Sequence, residues 1–205
     1  DLVKHMQAAV DIPVTVKHRI GIDDFDSYEF MVDFVEKVAA AGCTRFIVHA
    51  RTAWLQGLSP KQNREIPPLR YEDVYRLKQD FPQLDIEING GIDTVKDIEA
   101  HLQHVDGVMI GRAFYHNPYL LAETNSLWDE PAPKRSDILA KLYPYLEAQI
   151  ANGEALPTMT RHYLGLFQGL MGARKWRQAL SGKPQLTIDD IKRAADEVLL
   201  LNPDA

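Results

Sequence analysis

Between Ile12 and Arg112 the sequence repeats one unit four times: a short apolar strand, a polar loop, then an amphipathic helix. The strand segments are Val14-Thr15-Val16-Lys17, Arg45-Phe46-Ile47-Val48-His49, Asp85-Ile86-Glu87-Ile88-Asn89 and Gly107-Val108-Met109-Ile110-Gly111. They are brief and rich in β-branched residues, as strands buried in a parallel sheet are. Each closes on a polar residue or glycine. This repeat confines the chain to parallel α/β architectures, in which ligands sit at the C-terminal ends of the strands. Four strands leave two edges unpaired, whereas eight close into a barrel. The expected fold is the C-terminal half of a (β/α)8 TIM barrel, four parallel βα units, followed by an all-α helical domain. Asp1-Leu2-Val3-Lys4-His5-Met6 reads as the middle of a helix without its own cap, so part of a parent protein is expected to precede it.

Local signals place the helices. Asp26 or Ser27 caps a helix with the apolar face Phe30, Met31, Phe34, Val35 and Val38, ending at Gly42. Glu72 to Phe81 forms a second, closed by Pro82. Thr94 with Asp97 opens a third, and Asn117-Pro118 a fourth. Residues 123–135 contain Pro131 and Pro133 among polar residues and read as a linker, with Trp128 as an anchor. The expected domains are therefore 1–122 (half-barrel), 123–135 (linker) and 136–205 (helical domain). In the last, Ser136 caps a helix to Asn152, bent at Pro144 and stopped by Gly153. Further helices are expected at Thr158–Met171, Ala173–Ser181 (stopped by Gly182) and Thr187–Leu200, where Thr187 and Asp190 form the start signal.

Hydrophobic residues make up 45% and charged residues 25%, an ordinary globular balance. No apolar run approaches the roughly 18 residues of a membrane span, and no secretory signal is read at the start. The single cysteine, Cys43, excludes an intrachain disulfide and fits a reducing, cytoplasmic compartment. A net charge of −6 excludes a surface that binds nucleic acid all over, but not a local basic patch.

Asn89-Gly90-Gly91 closes the third strand and Gly111-Arg112-Ala113 follows the fourth. Glycine lets backbone N–H groups approach a ligand, and helix N-termini after such loops hold phosphate. Arg112 adds a forked guanidinium. One glycine pair would be explained by a tight turn; two motifs on successive strand ends favour phosphate. Lys17 and His49 are read as the last residues of the first two strands, facing a common mouth. A lysine there can hydrogen-bond the electron-rich edge of a reduced flavin; the alternatives are a solvated lysine and a core histidine. Cys43 precedes a strand, hence lies at the bottom of the sheet, and is read as structural. His101 and His104 share a helix face with Asp97 but lack a further ligand, so they are read as solvated and no metal is expected.

Between Ala155 and Ile188 there is no acidic residue, while Arg161, His162, Arg174, Lys175, Arg177 and Lys183 fall there. Arg174, Trp176 and Arg177 lie within about one helical turn, a cluster suited to phosphates with a ring for base stacking; the alternative is a solvated helix face. Lys61-Gln62-Asn63-Arg64 is a second basic and polar stretch, in the long loop after the second strand, and long loops on that face carry function.

Across the entire chain these motifs resemble the tRNA-dihydrouridine synthase family, most of all its A subfamily. The residues that carry the resemblance are Val16-Lys17-His18-Arg19-Ile20-Gly21, Val48-His49-Ala50-Arg51, Ile88-Asn89-Gly90-Gly91, Met109-Ile110-Gly111-Arg112-Ala113 and, most specifically, the run from Trp54-Leu55-Gln56-Gly57-Leu58 to Pro67-Pro68-Leu69-Arg70-Tyr71. The resemblance implies a barrel that holds flavin mononucleotide (FMN) and a helical domain that cradles tRNA. It implies that NADPH reduces the flavin, that hydride passes from N5 to C6 of a flipped-out uridine, and that a loop cysteine protonates C5. For the A subfamily the implied targets are D-loop uridines 20 and 20a. Carried over by motif, Lys17 and His49 contact the flavin. Asn89, Gly90, Gly91, Gly111 and Arg112 bind its phosphate end, and Arg64 and Arg177 contact tRNA. Lys61, Arg174 and Lys175 join the tRNA-binding candidates from the charge pattern.

The family's cysteine stands in an Asn-x-Gly-Cys-Pro loop, and an early flavin-contacting segment carries Ala-Pro-Met; neither occurs in this sequence. Both belong to the first half of the barrel, and Cys43 is no substitute. No catalytic residue is therefore expected in this chain, which alone is expected to be inactive; the complete protein is expected to be a monomer. Two other readings stand beside this one. One is an FMN barrel oxidoreductase acting on a small molecule, as dihydroorotate dehydrogenases do, although such a substrate needs no basic helical domain. The other is a non-catalytic RNA-binding module that retains half a barrel.

Overall fold

The computed structural model describes residues 1–181 and 185–205. These form two compact units, Asp1–Ile110 and Gly111–Ala205.

The first unit is built on four parallel strands in the order β1 (Val16–Ile22), β2 (Arg45–Ala53), β3 (Asp85–Asn89) and β4 (Gly107–Met109). Its helices are α1 (Leu2–Ala9), α2 (Tyr28–Ala39), α3 (Tyr71–Asp80) and α4 (Val95–Leu102), with a 3-10 turn at Gln62–Arg64. Registers place Arg19 opposite His49, His49 opposite Asn89 and Asn89 opposite Met109. Side chains alternate along a strand, so Lys17, Arg19, His49 and Asn89 share one face. Phe46, Val48, Ala50, Ile86 and Ile88 occupy the other and are wholly buried. That apolar face is where α2 meets β1, α3 meets β2 and β3, and α4 meets β4.

Local chemistry sets the helix starts. The Ser27 hydroxyl accepts from the Phe30 N–H at 3.1 Å. Thr94 accepts from the Asp97 N–H at 3.1 Å and donates to its carboxylate at 2.6 Å. After Ala39 the chain turns through Gly42, whose φ of +103° suits glycine.

Three expectations are corrected. Lys17 does not end β1 but is its second residue, and β2 does not end at His49 but runs to Ala53. The polar His18-Arg19-Ile20-Gly21 reads as loop, yet pairing continues to Ile22 opposite Ala53 through a register shift between Arg19 and Gly21. Burial of Ile20 and the ladder outweigh local polarity. On α2 the buried residues are Tyr28, Met31 and Val35, while Phe30 and Phe34 remain partly open, against Phe25 and His18 respectively.

The regular elements described in the second unit are all helical: α5 (Arg112–His116), α6 (Tyr119–Glu123), α7 (Arg135–Ala151), α8 (Leu156–Thr160), α9 (Ala173–Ser181) and α10 (Ile188–Leu201), with a 3-10 turn at Thr124–Trp128. Its core includes Leu139, Leu146, Leu156, Phe167, Trp176, Ile191 and Val198. The capping box at Thr187 and Asp190 is complete in both directions. Ser136 makes no cap: α7 begins one residue earlier at Arg135, buried with Nε donating to the Leu166 carbonyl at 2.8 Å and its guanidinium over the Tyr119 ring. α7 passes through Pro144 as one helix. Asn117 likewise provides no side-chain cap, and Trp128 is 68% exposed, not an anchor. The long helix expected at Thr158–Met171 is instead the five-residue α8 followed by turns. Gly169 and Gly172 adopt positive φ, which no right-handed helix accommodates, and at Gly165 a Cβ would lie 1.8 Å from the His116 carbonyl oxygen. The helix stop at Gly182 and the basic Lys183 lie outside the described residues. Among the described residues no helix is long and apolar enough to cross a membrane.

Candidate functional site

On the polar face of the sheet a cavity of about 630 Å³ is lined by Lys17, Arg19, His49 and Asn89 from the strands and by Leu58, Asn63 and Arg64 from the loop between β2 and α3. That size matches a small-molecule or cofactor pocket. The predicted flavin residues Lys17, His49 and Asn89 thus converge, together with the predicted tRNA contact Arg64, although of the three strand residues only Asn89 ends its strand.

The loop is fastened to the sheet by polar contacts. The Arg19 guanidinium donates to the Thr52 carbonyl at 3.0 Å and the Asn63 carbonyl at 2.9 Å. The Asn63 side chain accepts from the Trp54 N–H at 3.1 Å and donates to the Trp54 carbonyl. Arg51 donates to the Glu65 carbonyl at 3.1 Å and to that of Pro67. Further along, Arg70 pairs with Asp73 and donates to the Asp26 carbonyl at 2.8 Å. Together these contacts hold Arg64 at the rim. The sequence reading gave Arg19 no role of its own and held Asn63 only as part of the Lys61–Arg64 stretch. Arg19 stands two residues from Lys17, the spacing that puts both on one strand face, and reading β1 as longer would have found it.

The electrostatics are cationic. Lys17 sits below the usual lysine pKa through partial desolvation and then the Arg19 charge. Arg19 is itself lowered by burial, then by Arg51 and Arg64. Like charges that depress one another are relieved by a bound anion. His18, on the opposite face against Phe34, is lowered by burial; its Nε2 is enclosed without a hydrogen-bond partner among the described residues.

Beside His49 the chain leaves β3 through two glycines with φ of +119° at Gly90 and +68° at Gly91. A Cβ on Gly90 would lie 2.6 Å from the His49 ring, so only glycine fits. The Asn89 amide donates to the Met109 carbonyl at 2.8 Å, tying β3 to β4. Gly111 and Arg112 open the second unit, Gly111 at the N-cap of α5 and Arg112 exposed.

Arg174, Lys175 and Arg177 are exposed along α9, and Lys61 and Arg64 along the first unit's loop. Trp176, expected to stack on bases, is instead fully buried: its ring is edge-on to Phe167 at 4.9 Å and its indole N–H donates to the Tyr163 carbonyl at 3.3 Å. The α9 face that carries the cations is the opposite one. Cys43 lies two residues before β2, 1% exposed, its thiol donating to the Arg45 carbonyl at 3.2 Å. It sits at the end of the strand remote from the cavity. His101, expected to be solvated, is 5% exposed with Nδ1 2.7 Å from the Tyr75 hydroxyl; α3 covers it, which its own helix periodicity does not reveal.

The dihydrouridine synthase (Dus) family model matches residues 1–196. Among curated relatives, the tRNA-dihydrouridine(20/20a) synthase of Synechocystis sp. is 59% identical over 182 residues, 87% of this chain and 54% of the relative. The protein of the same name from Vibrio parahaemolyticus is 57% identical over 185 residues, 88% of this chain and 57% of the relative. That of Vibrio vulnificus is 53% identical over 205 residues, 97% of this chain and 63% of the relative. The chain spans between 54% and 63% of the length of these relatives. With a family model matched along nearly all of its length, the chain belongs to the dihydrouridine synthase family.

Proposed function

We propose that this chain is the second half of an FMN-binding (β/α)8 barrel joined to a tRNA-binding helical domain. The parent enzyme reduces uridine to 5,6-dihydrouridine at positions 20 and 20a of the tRNA D-loop, with NADPH as reductant. The observation that carries this reading is the meeting of Lys17, His49 and Asn89 in one cavity beside a left-handed glycine pair. These residues fit a flavin nucleotide. The cavity lies within the range of cofactor pockets, burial and then neighbouring positive charge hold Lys17 and Arg19 below their ordinary values, which favours an anionic ligand, and a side chain at Gly90 would strike His49.

Each group has a role in this reading. When bound, FMN supplies hydride chemistry between a nicotinamide and a uracil ring. Lys17 holds a positive charge at the ring edge where negative charge accumulates, and Arg19 beside it strengthens that field. His49 and Asn89 orient the ring by hydrogen bonding. Gly90 and Gly91 receive the phosphate end, with Gly111 and Arg112 as further phosphate ligands on motif grounds. Lys61 and Arg64, together with Arg174, Lys175 and Arg177 on α9, engage tRNA phosphates.

The sole cysteine is sealed at the far end of β2, so this polypeptide brings no thiol to the cavity. Three measurements test the reading. The protein is expected to bind FMN, seen as quenching of flavin fluorescence, and to bind tRNA with an affinity that falls as salt rises. Supplied with FMN, NADPH and unmodified tRNA, it is expected to form no dihydrouridine by nucleoside mass spectrometry; product above background would overturn the assignment of inactivity.

A further inference from the structure

We infer that Tyr71 is a positioning residue for the Gly90–Gly91 loop and, through that loop, for the phosphate of the ligand; this rests on the flavin reading above. Tyr71 opens α3, and its hydroxyl donates to the Gly90 carbonyl over 2.8 Å. No peptide bond is cis among the described residues. In a trans peptide the carbonyl and the next N–H point in opposite directions. Fixing the Gly90 carbonyl on Tyr71 therefore aims the Gly91 N–H away from α3, and among the described residues that N–H has no backbone acceptor. Two successive glycines with φ of +119° and +68° have little conformational preference of their own. An external hydrogen bond selects one orientation from many, which is what a preformed anion cradle requires.

Tyr71 is in turn held in place. Its ring meets His101 of α4 edge-on, with centroids 4.5 Å apart at 71°. His101 is fixed by the Tyr75 hydroxyl at 2.7 Å, and Tyr75 stacks on His104 at 4.2 Å. Two tyrosines of α3, His101 of α4 and His104 just past the end of α4 thus brace the loop from behind. Burial raises the Tyr71 pKa, which keeps the phenol protonated and a donor.

The test compares FMN with riboflavin, which has the same ring and lacks the phosphate. Fluorescence quenching titrations are made on this chain and on Tyr71→Phe, with far-UV circular dichroism as a check on folding. The unaltered protein is expected to prefer FMN. Tyr71→Phe is expected to lose about tenfold in FMN affinity, the scale of one hydrogen bond, with riboflavin affinity unchanged. His101→Phe keeps the phenol but removes its partner to Tyr75, and is expected to show a smaller loss of the same selective kind. An unchanged FMN affinity in Tyr71→Phe, or equal losses for both flavins, overturns the inference. If the unaltered protein binds neither flavin, the flavin reading itself falls and takes this inference with it. Equal binding of the two by the unaltered protein removes the phosphate cradle and the role of Tyr71 together.

Discussion

Trp176 shows how a side chain can be misplaced by its neighbours in sequence. It stands between cations, yet it fills the core of the second unit against Phe167. Trp176→Ala is expected to cost about 3–5 kcal/mol, measured by urea unfolding; a cost below about 1 kcal/mol would mean that the indole is not a core element. Gly165 is a sharper case, because the obstacle to any side chain is the His116 carbonyl oxygen itself. Backbone does not move aside as a flexible side chain does, so Gly165→Ala is expected to destabilise by about 3 kcal/mol or more. Protonation acts at the same scale. His18 and His101 both lie below the ordinary histidine value of 6.5, each mainly through burial. Their unfolded forms take up protons near that value, while the folded forms do so only at lower pH. In this window the unfolded chain binds more protons, so stability falls as pH falls. The urea midpoint is expected to be highest above pH of about 7 and to decline as pH drops through the folded values, with a shallower decline in His101→Phe. A flat profile across that range contradicts neutral burial of these rings.

At the scale of elements, two hydroxyls near helix starts separate a real cap from an apparent one. Thr187 completes a capping box on α10, whereas Ser136 lies inside the first turn of α7 without a capping bond. Thr187→Ala is expected to cost about 1 kcal/mol, and Ser136→Ala to stay within about 0.5 kcal/mol. Equal costs in thermal or urea unfolding would refute the distinction. What was legible in the sequence follows the same division. The starts at Ser27, Thr94 and Thr187, and strand β3, depend on residues close in sequence and were readable. The ends of β1 and β2 depend on a partner strand's register, and the short α8 is followed by the Gly165 contact with a distant carbonyl. No local pattern contains either. For the site, Lys17, His49 and Asn89 were visible as polar residues in apolar strands. The roles of Arg19, Asn63 and Tyr71 were not, since each acts through a loop that folds back onto the sheet.

At the scale of the molecule, a net charge of −6 coexists with local basic surfaces on the loop after β2 and on α9. If these meet tRNA phosphates, each contributing cation removed should lower the slope of log affinity against log salt by about 1. The double change Arg174→Ala with Arg177→Ala is expected to flatten that slope in filter binding, while Lys37→Ala, which breaks the surface pair of Lys37 with Asp33, is expected to leave it alone. An unchanged slope in the double variant would remove α9 from the RNA surface. The two faces of the β-sheet carry a last consequence. One presents Phe46, Val48, Ile86 and Ile88 to the helices; the other presents Lys17, His49 and Asn89 to the cavity. Sliding any strand by a single residue would exchange the two sets, forcing ammonium, imidazole and amide beneath greasy helices. The groups that would greet a ligand thus also act as proofreaders during assembly, rejecting misaligned pairings before any ligand arrives.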